Sequence, residues 1–356
     1  MVNSLYIHIP FCRSICSYCD FCKMYYNEKY VKSYLTSLEK EVCSLYKGDT
    51  LKTIYIGGGT PSCLDKLHLN KLFLIIKRFS LADDIEFTFE CNIEDINEDL
   101  LLFLKKNGVN RLSIGIESFN EKLLRVLGRN YSSDIINDKI ILAQKFFSNI
   151  NVDLIYGING ESLNDLKEEL NKFILLGVNH ISIYSLILED NTMLKINNYK
   201  EIDEDLNRDM YDYIVEFLES KGYIQYEISN FSKNGYESKH NLTYWNNDRY
   251  YGFGLGASGY IENIRYTNTR SLSKYISGNY ISFKEDVNSK TDMENFMILG
   301  LRKIKGVSNN EFKRRFNKDI KDVFDVSKLE YKGDYYFIGR NNIYISNYIL
   351  EDFIDI

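Results

Sequence analysis

Several features are scarce in this sequence, and each scarcity excludes a class of protein. No uninterrupted apolar run reaches the roughly 18–20 residues that a membrane span needs. The N-terminus, MVNSLYIHIP, lacks the basic segment and the long apolar segment of a signal peptide. Basic residues do not dominate, since 44 Lys and Arg stand against 50 Asp and Glu, whereas nonspecific nucleic-acid binding needs a basic face. We therefore expect a cytosolic globular protein that binds no nucleic acid.

Three residue types are rare and unevenly placed. The 356-residue chain has two prolines, Pro10 and Pro61, and one tryptophan, Trp245. All seven cysteines lie within the first 91 residues. Hydrophobic residues make up 44% of the chain, which is enough to form a packed core. The positions of the rare residues are therefore the first guide to function.

Short β-rich runs alternate with helical stretches in the first half of the chain. The candidate strands are Leu5–Ile9, Thr53–Ile56, Ile85–Phe89, Arg111–Gly115, Asn151–Ile155 and His180–Leu186. Each is apolar and rich in Ile, Val, Tyr or Phe, as expected for a strand buried on both faces. These six βα repeats predict an α/β fold with a parallel sheet and right-handed crossovers. Periodicity alone leaves an open doubly wound sheet and a curved partial barrel as alternatives; in both, ligands bind at the C-terminal ends of the strands.

The pattern changes after about residue 190. A helix over Asp203–Lys221 and a strand over Tyr223–Ile228 precede a polar, glycine-rich segment. Two helices, Asp292–Ile304 and Asn310–Phe316, and a hairpin-like Tyr336–Ile345 predict a small helical or winged tail. We expect three segments: a core over residues 1–190, an α+β extension over residues 191–286 and a C-terminal domain over residues 287–356.

Four cysteines follow the first candidate strand in the segment Cys12-Arg-Ser-Ile-Cys16-Ser-Tyr-Cys19-Asp-Phe-Cys22. The C-x3-C-x2-C spacing of the first three allows them to bind one compact metal centre. A complete ferredoxin-type cluster takes four cysteines, so a loop that supplies three leaves one iron open for an exchangeable ligand. Structural zinc sites usually join two separated pairs, and no second pair follows here. The spacing thus favours an iron–sulfur cluster over zinc, a disulfide or redox thiols.

The sequence resembles the radical S-adenosylmethionine (SAM) superfamily in three motifs: Tyr6-Ile-His-Ile-Pro-Phe-Cys12, the C-x3-C-x2-C loop and Gly57-Gly-Gly-Thr-Pro61. More narrowly, it resembles the oxygen-independent coproporphyrinogen oxidases and their relatives, the heme chaperones, to about residue 300. The resemblance implies a partial (β/α)6 barrel with a 4Fe–4S cluster and SAM at its open end. Cys12, Cys16 and Cys19 would ligate the cluster, SAM would bind the fourth iron, and Cys22 would be a non-ligand.

The same resemblance implies a SAM pocket. A glycine-rich turn, Gly57-Gly58-Gly59-Thr60, follows the second candidate strand, and glycine lets the backbone approach a ligand closely. The implied SAM contacts are Tyr6, Tyr18, Gly58, Gly59, Thr60, Glu90, Glu117, Arg129 and Asp153. The acids would suit the ribose hydroxyls, and Arg129 would suit the carboxylate. Two residues depart from the family pattern: Glu117 stands where Gln is common, and Ile93 replaces a proline.

A late motif, His240-Asn-Leu-Thr-Tyr244-Trp245, contains the single tryptophan. A histidine among aromatic residues suits a porphyrin, because its nitrogen can ligate iron while the rings stack on the macrocycle. The alternative is a surface loop that packs Trp245 against the core. The H-N-x-x-Y-W pattern resembles the heme-chaperone branch, where it is associated with heme binding, and the true oxidases do not carry it in this form. By that resemblance His240, Tyr244 and Trp245 are the candidate heme-binding residues.

The resemblance therefore implies a heme chaperone that carries a 4Fe–4S cluster and SAM and delivers heme to apo-hemoproteins of respiration. One alternative is an oxygen-independent coproporphyrinogen III oxidase, in which the cluster cleaves SAM and the resulting radical starts propionate decarboxylation. A radical SAM methyltransferase is a third candidate. Homodimer formation and peripheral membrane association are open hypotheses.

Overall fold

The computed structural model describes residues 2–354, which form one large sheet, two small sheets and surrounding helices. The strands are β1 (Ser4–Ile9), β2 (Phe11–Cys12), β3 (Met24–Tyr25), β4 (Thr50–Gly58), β5 (Ser80–Asn92), β6 (Arg111–Glu117), β7 (Asn149–Tyr156), β8 (His180–Ser185), β9 (Ile224–Glu227), β10 (Asn230–Ser232), β11 (Tyr250–Phe253), β12 (Ser258–Ile261), β13 (Ile264–Asn268), β14 (Ile281–Asp286), β15 (Val307–Ser308), β16 (Glu330–Lys332) and β17 (Tyr335–Phe337).

The helices lie mainly between these strands. They are α1 (Glu28–Leu45), α2 (Lys66–Ile76), α3 (Glu98–Lys106), α4 (Glu121–Val126), α5 (Ile135–Gln144), α6 (Leu163–Leu175), α7 (Met193–Ile196), α8 (Glu204–Ser220), α9 (Lys239–Trp245), α10 (Leu272–Ile276), α11 (Ser289–Gly300), α12 (Asn309–Phe316) and α13 (Ser346–Leu350). Every helix within residues 2–354 is too short or too polar to cross a bilayer.

The large sheet has the strand order β14-β13-β12-β11-β1-β4-β5-β6-β7-β8-β10-β9. Strands β1, β4, β5, β6, β7 and β8 are parallel neighbours, and they correspond to the six predicted strands. The sheet does not close, which confirms the predicted partial barrel with an α+β extension. The parallel part gains a seventh strand that the sequence analysis missed, because β11 pairs in parallel with β1.

Alternate residues of the parallel strands face opposite sides of the curved sheet. The outward set, which includes Ile7, Ile54, Phe89 and Leu112, is fully buried in the main hydrophobic core. The inward set is mostly polar and lines the barrel lumen: Glu90, Arg111, Ser113, Asn151, Asp153 and Ser182. The parallel strands are therefore largely buried on both faces, as expected, but the side chains of the inner face are polar and not apolar. In closed (β/α)8 barrels bulky branched side chains fill these positions, whereas polar ones here leave a cavity.

Helix α9 closes the end of the barrel where the parallel strands begin. Ser4, Thr53 and Glu86 lie side by side in register there. The Glu86 carboxylate accepts hydrogen bonds from the backbone amides of Lys239 (3.0 Å) and His240 (2.9 Å). The first amides of a helix have no hydrogen-bond acceptor within the helix, and the Glu86 carboxylate supplies one. Its negative charge also interacts favourably with the positive end of the helix dipole. The H-N-x-x-Y-W motif therefore lies at the opposite end of the barrel from the cysteine loop.

Residues beyond 287 pack round a second hydrophobic core that includes Met297, Phe312 and Ile338. A three-stranded sheet, β15-β17-β16, accompanies α11, α12 and α13. The hairpin in this region joins β16 to β17 and turns at Gly333 (φ +66°), so the predicted hairpin at Tyr336–Ile345 is misplaced. A glycine with positive φ is the natural turn residue, and the sequence analysis overlooked it. The division into three segments stays a prediction.

Candidate cluster and SAM site

The cysteine loop is held at the C-terminal end of β1. It leaves the barrel as β2 and returns as β3, and these two short strands pair in parallel, Phe11 with Met24 and Cys12 with Tyr25. Two further hydrogen bonds close the loop, from the Met24 amide to the Pro10 carbonyl (2.7 Å) and from the Tyr26 amide to the Cys12 carbonyl (2.9 Å). The residues between β2 and β3 therefore form a loop whose two ends are held in place by backbone hydrogen bonds.

Three of the four loop cysteines line the lumen cavity, whose volume is about 400 Å³. These are Cys12, Cys16 and Cys19, the predicted cluster ligands. Burial raises the pKa of Cys16 to about 11, so without a metal the thiol is protonated at neutral pH. Cys22 does not line the cavity; its thiol interacts with Arg270 instead. The structure thus separates the three predicted ligands from the predicted non-ligand.

The donor set fits an iron–sulfur cluster better than zinc. Within residues 2–354, no three Cys, His, Asp or Glu side chains are placed to hold a single metal ion. Zinc needs its sulfur ligands within about 4 Å of one another, because each Zn–S bond is about 2.3 Å long. A 4Fe–4S cluster binds each cysteine through a different iron atom, so it accepts three thiols round one cavity without such close approach.

The glycine-rich turn lies directly beside the cysteines. A side chain at Gly59 would come within 2.9 Å of the Cys12 sulfur, and one at Gly58 would overlap the His8 imidazole at 2.5 Å. Gly58 also has a φ of +115°, which residues with side chains rarely adopt. Both glycines and Thr60 line the cavity. The sequence uses glycine here because the backbone passes between the cysteine loop and strand β1.

Glu90 is half-buried in the lumen, and both of its carboxylate oxygens accept hydrogen bonds. The Tyr55 hydroxyl donates to one oxygen (2.7 Å) and the Gly58 amide to the other (2.9 Å). Burial raises the pKa of Glu90 above its usual range. Tyr6, another predicted SAM contact, does not line the cavity and shares a hydrogen bond of 2.8 Å with His8 Nδ1. Glu90 therefore fixes the glycine turn in addition to facing the cavity.

Glu117 and Arg129 form a buried ion pair, with side chains 5% and 8% exposed. The Tyr18 hydroxyl donates to the same Glu117 oxygen (2.9 Å), and Arg129 Nη1 donates to the Asn92 side chain (2.9 Å). The second oxygen of Glu117 is buried without a partner, and Glu117 has a φ of +63°. The charge of Arg129 is thus already compensated, so a ligand carboxylate would have to share it with Glu117.

Asp153 completes the set of predicted SAM residues that line the cavity. Burial raises its pKa to about 7, and Glu117 adds to that shift. The Asn151 amide donates to its carboxylate (2.8 Å). The cavity also reaches residues that the sequence analysis missed: Asn92, Arg111, Ser113, Asn151, Ser182, Tyr184 and Asn241. Several of them could have been found in the sequence, because polar residues recur at every second position of β5 and β6 and therefore share one face of the sheet.

His240 points into the base of the barrel and is 1% exposed. Its Nδ1 shares a hydrogen bond with Thr53 Oγ1 and its Nε2 with the Tyr244 hydroxyl, both at 2.8 Å. The imidazole stacks on Tyr55 with ring centres 5.2 Å apart, and burial lowers its pKa to about 3. All four histidines of the chain are buried, the most exposed at only 4%. His240 could bind heme iron through a ring nitrogen only after its present contacts change.

Comparison with known proteins shows the family of this chain. A radical SAM superfamily model matches residues 6–173, and a HemN C-terminal domain model matches residues 287–333. A protein of Lactococcus lactis named heme chaperone HemW is 39% identical over 90% of this chain and 87% of its own length. A Bacillus subtilis protein of the same name is 38% identical over 91% and 89%. The chain belongs to the HemW family of radical SAM proteins.

The overall likeness extends to a solved structure. Coproporphyrinogen III oxidase (HemN) from Escherichia coli superimposes with a TM-score of 0.87, over 99% of this chain and 90% of the oxidase, at 21% identity. That identity establishes a shared fold. Membership of the HemW family and the radical SAM model support a 4Fe–4S cluster and SAM for this chain, which agrees with the three cavity-lining cysteines.

Proposed function

We propose that this HemW family member is a heme chaperone, which binds heme and delivers it to an apo-hemoprotein of the respiratory chain. The observation that carries the proposal is the 39% identical relative named heme chaperone HemW, which aligns over 90% of this chain. The H-N-x-x-Y-W residues His240, Tyr244 and Trp245 add to it, since they form one helix at the base of the barrel. We also propose a cytoplasmic location.

At the open end of the barrel, Cys12, Cys16 and Cys19 would hold the 4Fe–4S cluster. Cys22 would remain hydrogen-bonded to Arg270. When bound, a reduced cluster of this kind supplies an electron to SAM. Gly58, Gly59 and Thr60 would present backbone groups to the SAM amino group, and Tyr18 would border the pocket. Glu90, Glu117 and Asp153 would accept hydroxyl hydrogen bonds, and Arg129 would meet the carboxylate. Heme transfer itself requires no bond cleavage in SAM.

At the other end, helix α9 would be the heme-binding element. Tyr244 and Trp245 are half-buried and offer aromatic surface to the macrocycle. His240 is the proposed iron ligand. It can ligate only after leaving Thr53 and Tyr244, so we infer that heme binding reorganises the base of the barrel. Its low pKa keeps the imidazole neutral at physiological pH, the form that binds iron.

The test compares heme binding by the reconstituted protein with that of three variants. We expect His240→Ala to lose the visible spectrum of histidine-ligated heme, because His240 is the single histidine of the H-N-x-x-Y-W motif. Tyr244→Phe should bind heme faster, since it frees Nε2 while keeping the ring. His68→Ala is the matched control, because His68 is also buried but contacts Asp65 at the start of α2. Unchanged heme binding by His240→Ala would refute the assignment of this ligand.

A second experiment separates a chaperone from an oxidase. The protein is incubated anaerobically with SAM, dithionite and coproporphyrinogen, and in parallel the heme-loaded protein is mixed with apomyoglobin. We expect heme transfer to the apoprotein without accumulation of protoporphyrinogen. Many turnovers to protoporphyrinogen and deoxyadenosine would overturn the chaperone proposal.

A further inference from the structure

A second cavity lies outside the barrel, between the end of α9 and the C-terminal segment. Its volume is about 460 Å³, within the range of small-molecule sites. Trp245, Phe296 and Val307 supply apolar wall, and Lys303, Arg314 and Arg315 supply positive charge. Its walls come from α9, α11, β15, α12 and the segments between them. The cavity thus brings the single tryptophan of the chain close to cations that lie 58 to 70 residues later in the sequence.

Lys303 has no carboxylate partner. Among residues 2–354, no acidic oxygen lies within 4.0 Å of its ammonium nitrogen, which donates instead to the Asn246 side chain. Partial burial lowers the pKa of Lys303 to about 8, while the more distant carboxylates of Asp248 and Glu311 act in the opposite direction. A half-buried cation of this kind is stabilised by an anion that reaches it.

The charges round the cavity leave a positive excess. Arg315 pairs with Asp248 and Glu311, and Arg314 pairs with the same Glu311. Two carboxylates thus face three cations once Lys303 is included. The indole nitrogen of Trp245 is also buried without a hydrogen-bond acceptor, which is a costly arrangement for a donor. The cavity therefore combines an aromatic wall with an excess of positive charge.

We propose that this cavity binds the propionate edge of heme, with Lys303 as the main contact of a propionate and Trp245 against the macrocycle. Heme has an apolar planar ring and two carboxylates on one edge, so it matches both halves of the cavity. The inference rests on the proposed heme-binding function. It adds the C-terminal segment, which lies outside the H-N-x-x-Y-W motif, to the residues that bind heme.

The experiment uses two probes, heme and heme dimethyl ester, whose propionates carry no charge. Binding to the reconstituted full-length protein is followed by visible absorption and by quenching of Trp245 fluorescence. We expect the wild type to bind heme at least tenfold more tightly than the ester. Lys303→Met should lower the affinity for heme about tenfold and leave that for the ester unchanged, so that the preference disappears.

Two further variants complete the test. Lys290→Met removes the same charge from the first turn of α11, outside the cavity, and should behave as wild type. Arg314→Met alters an exposed side chain, so this variant should fold like the wild type. It should reduce, but not abolish, the preference for heme over the ester. Equal preference for heme in wild type and Lys303→Met would overturn the site while leaving heme binding intact. Failure of the wild type to bind heme at all would instead refute the proposed function.

Discussion

Replacing Cys16 with alanine is expected to abolish the visible absorption and the bound iron of the anaerobically reconstituted protein. Cys16 lines the same cavity as Cys12 and Cys19, and a cluster that already leaves one iron for SAM cannot lose a second protein ligand. SAM binding should fall with the cluster, because the fourth iron would no longer be present. Iron and sulfide analysis together with the absorption spectrum measures the effect.

The matched control is Cys22→Ala. This thiol is only three residues from Cys19, yet it lies outside the cavity and beside Arg270. We expect Cys22→Ala to retain full iron and sulfide. Loss of the cluster in Cys22→Ala to the same extent as in Cys16→Ala would contradict the division of the four cysteines into three ligands and one bystander.

The sequence was sufficient for features that depend on short-range patterns. The spacing of Cys12, Cys16 and Cys19 predicted one shared metal centre, and the structure brings these three residues to one cavity. The six parallel strands followed from alternating apolar and helical runs. Strand β11 was missed, because its four residues lie in a glycine-rich segment and pair with β1, 246 residues earlier. Long-range pairing of so short a strand leaves no local signal.

The sequence was a poorer guide to the orientation of individual side chains. His240 belongs to a motif that predicts an accessible ligand, but the helix turns it into the barrel, where Thr53 and Tyr244 take both nitrogens. Nothing near residue 240 indicates that Thr53 lies within hydrogen-bond distance. The same holds for Arg129, which pairs with Glu117, a residue in the left-handed backbone conformation.

Arg129→Met is expected to destabilise the protein by about 3–5 kcal/mol, because it leaves the Glu117 carboxylate buried and unpaired. Adding Glu117→Gln should restore most of that stability, since the double variant removes both charges. The free energy of unfolding, measured by urea denaturation of the wild type, the two single variants and the double variant, gives the coupling between the two side chains. A double variant no more stable than Arg129→Met would contradict the importance of the pair.

The same four proteins separate the stability of the pair from its role in SAM binding. Arg129→Met and the double variant should both bind SAM about tenfold to a hundredfold more weakly, because a charged hydrogen bond is worth about 1.5–3 kcal/mol. Glu117→Gln alone should bind SAM more tightly than the wild type, since Arg129 no longer shares its charge with a protein carboxylate. Anaerobic equilibrium dialysis with labelled SAM measures these affinities, with Glu94→Gln as the control for loss of a nearby acid. If Glu117→Gln weakened SAM binding instead, the contact of Glu117 with the ribose would contribute more to SAM affinity than its competition with the SAM carboxylate for Arg129 removes. Glu117 would then favour SAM binding and not oppose it.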